Sequence, residues 1–210
     1  MSVGRIIETD ACVLEGAAWL ANSDPCFAEA MKQVGPLPLR RKPDGFSELL
    51  NAIVSQQVSV ASANAIWAKL EAAKAHTATA IAQKSEDEMR ALGLSRQKAR
   101  YACALAAAEI DYVALRTAPT SAVIDTLTEV PGIGVWTAEI YAMFSLGRAD
   151  VFAPGDLALQ EGARMLFDLP ERPKEKELRI MAEAWSPWRS VAARLLWAYY
   201  AHMKSREGIR

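Results

Sequence analysis

The residues with the most chemical content lie between positions 127 and 156. Leu127-Thr-Glu-Val-Pro131-Gly132-Ile133-Gly134-Val135-Trp136-Thr137-Ala138 sets two glycines around one apolar residue, directly after a proline. Glycine and proline in this order mark a tight turn, and a helix opening there presents its first N–H groups at the positive end of its dipole. Such groups can hold a phosphate oxygen, and the missing side chains let a nucleic-acid backbone approach. An ordinary helix–helix turn uses the same residues. Farther along, Val151-Phe-Ala-Pro154-Gly155-Asp156 ends in an aspartate 22 residues beyond Gly134. Alone, Pro-Gly-Asp reads as a loop and helix cap as readily as a catalytic carboxylate.

Other chemistries are excluded by spacing. Cys12, Cys26 and Cys103 lie far apart, and His76 and His202 are the only histidines. The closely spaced ligand pairs of a structural zinc site and the four thiolates of an iron–sulfur cluster are therefore missing. The cysteines read as reduced and mostly buried. Any catalysis rests on carboxylates, backbone dipoles or aromatic surfaces.

Taken together, the pattern LxxxPGIGxxTA over 127–138 and the aspartate at 156 resemble the helix–hairpin–helix DNA glycosylase superfamily. The resemblance makes Asp156 the catalytic carboxylate. It would stabilise the oxocarbenium-like charge that develops as an N-glycosidic bond breaks, and orient or activate water. It also makes Gly132, Ile133, Gly134 and Thr137 DNA-contacting residues. Relatives that also cut the backbone carry a lysine two residues past the second glycine, whose amine forms a Schiff base with the sugar. Here that position is Trp136, so the resemblance implies base release without lyase activity.

Three further motifs point to the 3-methyladenine DNA glycosylase II branch. Ile53-Val-Ser55-Gln56-Gln57-Val58-Ser59 matches that branch's loop entering the duplex, with Gln57 at the wedge position and Gln56 beside it, able to bond in the minor groove. Taken alone, the same stretch is a helix end with two solvated glutamines. Leu92-Gly-Leu-Ser95-Arg-Gln-Lys98-Ala-Arg100 resembles a "GLSxxKA" helix start. Trp185-Ser-Pro-Trp188-Arg189-Ser190 with Trp197 matches a C-terminal "WxPWRS…LW" signature, in which Trp188 and Arg189 are scaffold. Trp136 and Trp197 are candidates to line the base pocket, where a cationic methylated purine gains about 0.5–2 kcal/mol over an indole face. Relatives carry an aromatic residue where this chain has Ile140, one position before Tyr141.

The implied function is excision of alkylated purines from double-stranded DNA, leaving an abasic site; the alternative is a non-catalytic helix–hairpin–helix binder of damaged or abasic DNA. No cofactor is required on this reading, although the backbone carbonyls of Thr128 and Val130 can hold a Na or K ion that bridges to phosphate. The expected partner is alkylated DNA, met by a cytoplasmic monomer without membrane contact.

Elements must hold these residues in place. The chain has 210 residues, 39 of them alanine, against 11 glycines and 10 prolines. That composition favours helix, and no strand-length apolar alternation competes with it. The fold class is all-α. A net charge of −1 excludes coating of nucleic acid by bulk charge, and no apolar run reaches the roughly 18 residues of a membrane span. The opening stretch is too acidic for a signal peptide.

Start signals at Asp24, Asp44, Ser59, Ser85 and Ser95 predict helices after each. The stretch 96–113 is predicted as one long helix, with others over 120–127, 135–146, 155–167, 174–184 and 188–203. By the family's layout, 44–148 forms one helical subdomain ending in the hairpin. Residues 1–43 with 149–210 form the second, with Asp156 in the cleft between them.

Overall fold

The computed structural model describes residues 3–206. Among them the fold is all-α, with thirteen α-helices and no strand; an isolated bridge pairs Ile6 with Arg148. In chain order the helices are α1 (Asp10–Ser23), α2 (Pro25–Val34), α3 (Phe46–Ser55), α4 (Val60–Ala72), α5 (Ala78–Ala82), α6 (Glu86–Ala91) and α7 (Arg96–Ala107). There follow α8 (Tyr112–Thr117), α9 (Thr120–Thr128), α10 (Val135–Ile140), α11 (Leu157–Leu166), α12 (Glu175–Met181) and α13 (Arg189–Arg206). Within this set no helix is long and apolar enough to cross a membrane.

Most start signals act as their chemistry dictates. Asp24 accepts the Cys26 N–H with Pro25 in the first turn of α2, Ser59 accepts from Ser62, and Ser95 from Lys98. Ser85 and Glu88 form a reciprocal capping box. Each such cap is worth about 1 kcal/mol.

Several expectations are corrected. Asp44 does not cap α3; Gly45 takes that place, and the Asp44 carboxylate instead accepts Nε and Nη2 of Arg116 at 2.6 and 3.2 Å. The long helix over 96–113 breaks after Ala107, because Glu109 turns left-handed (φ 45°) and Asp111 caps α8 through the N–H groups of Val113 and Ala114. The helix over 135–146 is α-helical only to Ile140 and continues as a π-helical turn, Tyr141–Ser145. The segment 174–184 likewise tightens into a 3-10 turn, Ala182–Trp185. The cysteines are half-buried rather than buried, all three as free thiols.

The chain divides into two compact units: the residues up to Arg41 with those from Ala142 onward, and Lys42–Tyr141. The chain leaves the second unit after Tyr141 rather than after 148, because the following segment is committed to the first unit. Arg148 N donates to Ala142 O, Ile7 N to Gly147 O at 2.7 Å, and Ala149 N to Arg5 O at 2.9 Å. The Arg41 guanidinium meanwhile donates to the carbonyls of Phe144 and Ser145.

In the first unit α13 packs against α11, α1 and α2, and Phe27, Phe152 and Phe167 surround Trp185. The tryptophan–arginine signature is scaffold here. Trp188 is buried, and Arg189 grips Asp150 at 2.6 and 2.8 Å. Burial works against the Asp150 carboxylate, but Arg189 and the Ser186 hydroxyl together hold its pKa below the usual range. In the second unit α7 packs against α3, α5 and α6. Leu49, Leu50, Ile53, Leu70 and Leu105 are fully buried there, each worth about 1.5–3 kcal/mol relative to exposure.

Candidate active site and nucleic-acid interface

The glycine hairpin joins α9 to α10. Pro131 and Gly132 make the turn, the Ile133 N–H closes it on Val130 O at 3.0 Å, and Gly134 stands at the N-cap of α10. Gly132 has φ 94°, a conformation that favours glycine, and a Cβ there would come within 2.3 Å of Tyr101 Cγ. The turn therefore fits only because this residue has no side chain. Gly134 differs: it is exposed, and a Cβ built on it meets nothing within 4 Å. No side chain caps α10, the arrangement in which first-turn N–H groups are met by solvent or by an anion. Ile133 and Thr137 are buried, so their side chains are core. The exposed residues of the hairpin are Pro131, Gly134, Val135 and Trp136, the last 47% exposed.

The glutamine turn lies in the same unit. Helix α3 ends at Ser55, Gln56 is extended (φ −61°, ψ 131°), and Gln57 is left-handed at φ 55° with its side chain exposed. Gln56 Nε2 donates to Gly132 O at 2.9 Å, so the amide that the sequence placed in a minor groove is tied to the hairpin. Gln56, Gln57, Gly132, Ile133 and Gly134 line one groove of about 510 Å³, together with Ser95, Gln97, Lys98 and Tyr101.

Lys98 and Tyr101 line the groove although no motif assigns them to the site. Lys98 is only 9% exposed, and its Nζ donates to Val54 O at 2.7 Å; burial lowers its pKa. The "GLSxxKA" motif marked this lysine, but not its partner 44 residues earlier.

In the first unit, Asp156 is the N-cap of α11. Its Oδ1 accepts the N–H groups of Ala158 and Leu159 at 2.9 and 3.1 Å, and Nε1 of Trp197 at 3.2 Å. Gln160 Nε2 donates to Pro154 O at 2.8 Å, fixing the loop that delivers the aspartate. Helix α11 reaches Trp197 because Gly162 lets it approach α13 closely; a Cβ there would lie 2.7 Å from Leu196 O. The Trp197 indole also packs on Phe144, with centroids 5.8 Å apart, and Phe144 is an aromatic neighbour that no motif flagged. Two of the sequence-level site residues, Asp156 and Trp197, are thus in direct contact. The hairpin and glutamine turn form a second cluster, and Trp136 belongs to the unit that holds it.

This arrangement has counterparts among known proteins. A model of the family described as "HhH-GPD superfamily base excision DNA repair protein" matches residues 50–190. The chain is 30% identical to DNA-3-methyladenine glycosylase 1 of Schizosaccharomyces pombe over 190 residues, covering 85% of this chain and 83% of that protein. The crystal structure of a DNA-3-methyladenine glycosidase from Bacillus halodurans superposes with a TM-score of 0.82 at 31% identity, over 96% of this chain and 94% of that one. A 3-methyladenine DNA glycosylase of Schizosaccharomyces pombe, solved in complex with abasic DNA, gives 0.74 at 30% identity over 87% and 95%. With the hairpin, the carboxylate and this extent of similarity in place, the chain belongs to the HhH-GPD superfamily of base excision DNA repair proteins.

Proposed function

We propose that this protein is a monofunctional DNA glycosylase that flips alkylated purines, 3-methyladenine foremost, out of duplex DNA and hydrolyses the N-glycosidic bond. The observation that carries the reading is the Asp156 carboxylate, aimed by two backbone N–H groups and the Trp197 indole. An alkylated purine is cationic while attached to the sugar and departs as a neutral base, taking the bond's electron pair. Positive charge then develops on the sugar, where the fixed anion of Asp156 stabilises it. Water adds to the anomeric carbon and releases a proton, leaving an abasic site. The good leaving group removes the need for a strong general acid, which suits a site without histidine.

Trp136 supports the absence of lyase chemistry, since an indole offers no amine for a Schiff base. Flipping costs a few kcal/mol. The exposed Gln57 would compensate by filling the vacated stack, while the Trp197 indole beside Asp156 offers a face to the cationic base. Phosphate would be held at the Gly132–Gly134 turn by backbone donors, which explains DNA binding at a net charge of −1. A Na or K ion on the carbonyls of Thr128 and Val130 belongs to the same proposal. The Val130 carbonyl accepts one hydrogen bond, from Ile133, and a carbonyl oxygen has two lone pairs.

The deciding experiment is chromatography of bases released from methylated DNA by the wild type and by Asp156→Asn. Asparagine keeps an oxygen for the cap but carries no charge, so the variant binds abasic duplex and releases no 3-methyladenine. Release at the parent rate would remove Asp156 from the mechanism. A wild type that binds abasic DNA and frees no base would instead be a non-catalytic binder.

A further inference from the structure

Gln57 stands at φ 55° without being glycine. For such a residue the left-handed conformation is strained, and it persists only where the surroundings over-determine it. Three contacts do so. Before the turn, the buried ammonium of Lys98 donates to Val54 O at 2.7 Å, holding the last turn of α3. Within it, Gln56 Nε2 donates to Gly132 O at 2.9 Å, across 76 residues of sequence. Beyond it, Ser59 caps α4 through the Ser62 N–H at 3.2 Å.

Helix α7 completes a closed circuit. Lys98 and Tyr101 are three residues apart and so share a helix face. Lys98 grips the turn, while the Tyr101 ring lies against the hairpin where a Gly132 side chain would stand. Gln97 Nε2 in turn donates to the Tyr101 hydroxyl at 2.6 Å. Turn, hairpin and α7 are thus linked pairwise around one groove.

We infer that Gln56 and Lys98 are positioning residues that brace the Gln57 turn against the glycine hairpin, so that gripping a phosphate and inserting Gln57 are a single mechanical event. The inference rests on the wedge role given to Gln57 above. It assigns Gln56 to the protein's own hairpin rather than to base edges, and it gives the lysine of the α7 start a task that burial in a helix interface would not require.

The test uses a duplex carrying a tetrahydrofuran abasic analogue with 2-aminopurine on the opposite strand. Its fluorescence rises when insertion disturbs stacking, whether or not any base is released. Gln57→Ala removes the insertion signal. Gln56→Ala and Lys98→Met each lower the insertion equilibrium by roughly tenfold, the effect of about 1.4 kcal/mol, and Lys98→Arg recovers most of the loss because it still donates to Val54 O. In the Gln57→Ala background neither change lowers the affinity for this duplex, read by anisotropy, any further, since both act through that side chain. Full signal in Gln56→Ala and Lys98→Met, or losses that multiply with Gln57→Ala, would overturn the brace; the second result would make Gln56 a direct reader of DNA. Gln56 lies outside the core, so a folding defect in Lys98→Met leaves the Gln56 cycle decisive. A wild type that raises no signal sinks the insertion and the brace together, whereas base release from methylated DNA by the same protein preparation reports on the glycosylase reading separately.

Discussion

Gly134→Ala separates what the hairpin does for folding from what it does for binding. At this residue φ is −88° and ψ 171°, open to any L-residue, and the added methyl meets nothing within 4 Å. Alanine lowers the entropy of the unfolded chain, a gain of about 0.4–1 kcal/mol. At an N-cap it forfeits roughly 0.5–1 kcal/mol relative to glycine. The two terms nearly cancel, so Tm stays within about 2–3 °C of wild type. On the DNA side, the methyl stands in front of the first turn of α10, where a phosphate must come to reach the backbone donors. Loss of one charge-assisted bond there costs about 1.5–3 kcal/mol, which is roughly a tenfold to hundredfold loss of affinity.

Gly132→Ala provides the opposite control. Its φ of 94° and the 2.3 Å approach to Tyr101 add backbone strain of about 1–3 kcal/mol to overpacking of about 1–3 kcal/mol. Tm then falls by on the order of 10 °C. Anisotropy titrations of a labelled abasic duplex, run at one fixed salt concentration because phosphate contacts are salt-dependent, are paired with thermal melts of each variant. If Gly134→Ala binds within about threefold of wild type at unchanged Tm, a difference under 1 kcal/mol, the hairpin does not grip phosphate and the reasoning fails.

Two further perturbations probe the carboxylate and the alkaline stability of the second unit. Trp197→Phe keeps a ring beside Phe144 but removes the indole donor from Asp156 Oδ1. The lost bond to a charged group lowers the single-turnover rate of base release by roughly tenfold or more, with little change in abasic-DNA affinity; an unaltered rate would detach Trp197 from the carboxylate's function. Tyr141 is buried and its hydroxyl accepts the Gly45 N–H at 2.8 Å; burial pushes its pKa up to about 12. The unfolded chain therefore ionises first. The stabilisation is complete below pH of about 10, falls as pH rises to about 12, and amounts to roughly 2–3 kcal/mol. Chemical denaturation between pH 9 and 12 should show a shallower decline for Tyr141→Phe, and parallel curves would contradict the assignment.

The parts of this molecule that were legible in its sequence are those whose cause lies within a few residues. Ser59, Ser85 and Ser95 cap helices because the acceptor and the N–H it meets are three residues apart. The glycine hairpin is legible for the same reason, and so is Asp156 as the residue that opens α11. Local chemistry misleads where a distant partner outcompetes a local one. Asp44 had the chemistry of a cap, yet a bidentate bond to Arg116, 72 residues away, holds its carboxylate elsewhere. The stretch 96–113 kept a helical composition throughout, but the cap offered by Asp111 starts a new helix.

The same distinction separates a residue's type from its partner. The family resemblance gives Gln56 a nucleic-acid edge as its partner. Its actual acceptor is a hairpin carbonyl 76 residues away, a pairing that periodicity and spacing cannot reveal. Lys98 was noted as part of a helix start, but its burial follows from the packing of α7 on α3. Phe144 carried no motif at all; it meets Trp197 because the chain turns into the first unit after Tyr141.

A local motif can therefore supply the reactive groups, but their aim comes from contacts made across the sequence. Asp156 illustrates both levels in one side chain. The N–H groups of Ala158 and Leu159 fix Oδ1 from within its own helix, which any aspartate at an N-cap achieves. The Trp197 indole adds a donor from α13, and that donor is within reach only because Gly162 lets the two helices approach at Leu196. The local bonds make Asp156 a cap, and the distant one ties it to the aromatic pair of Trp197 and Phe144.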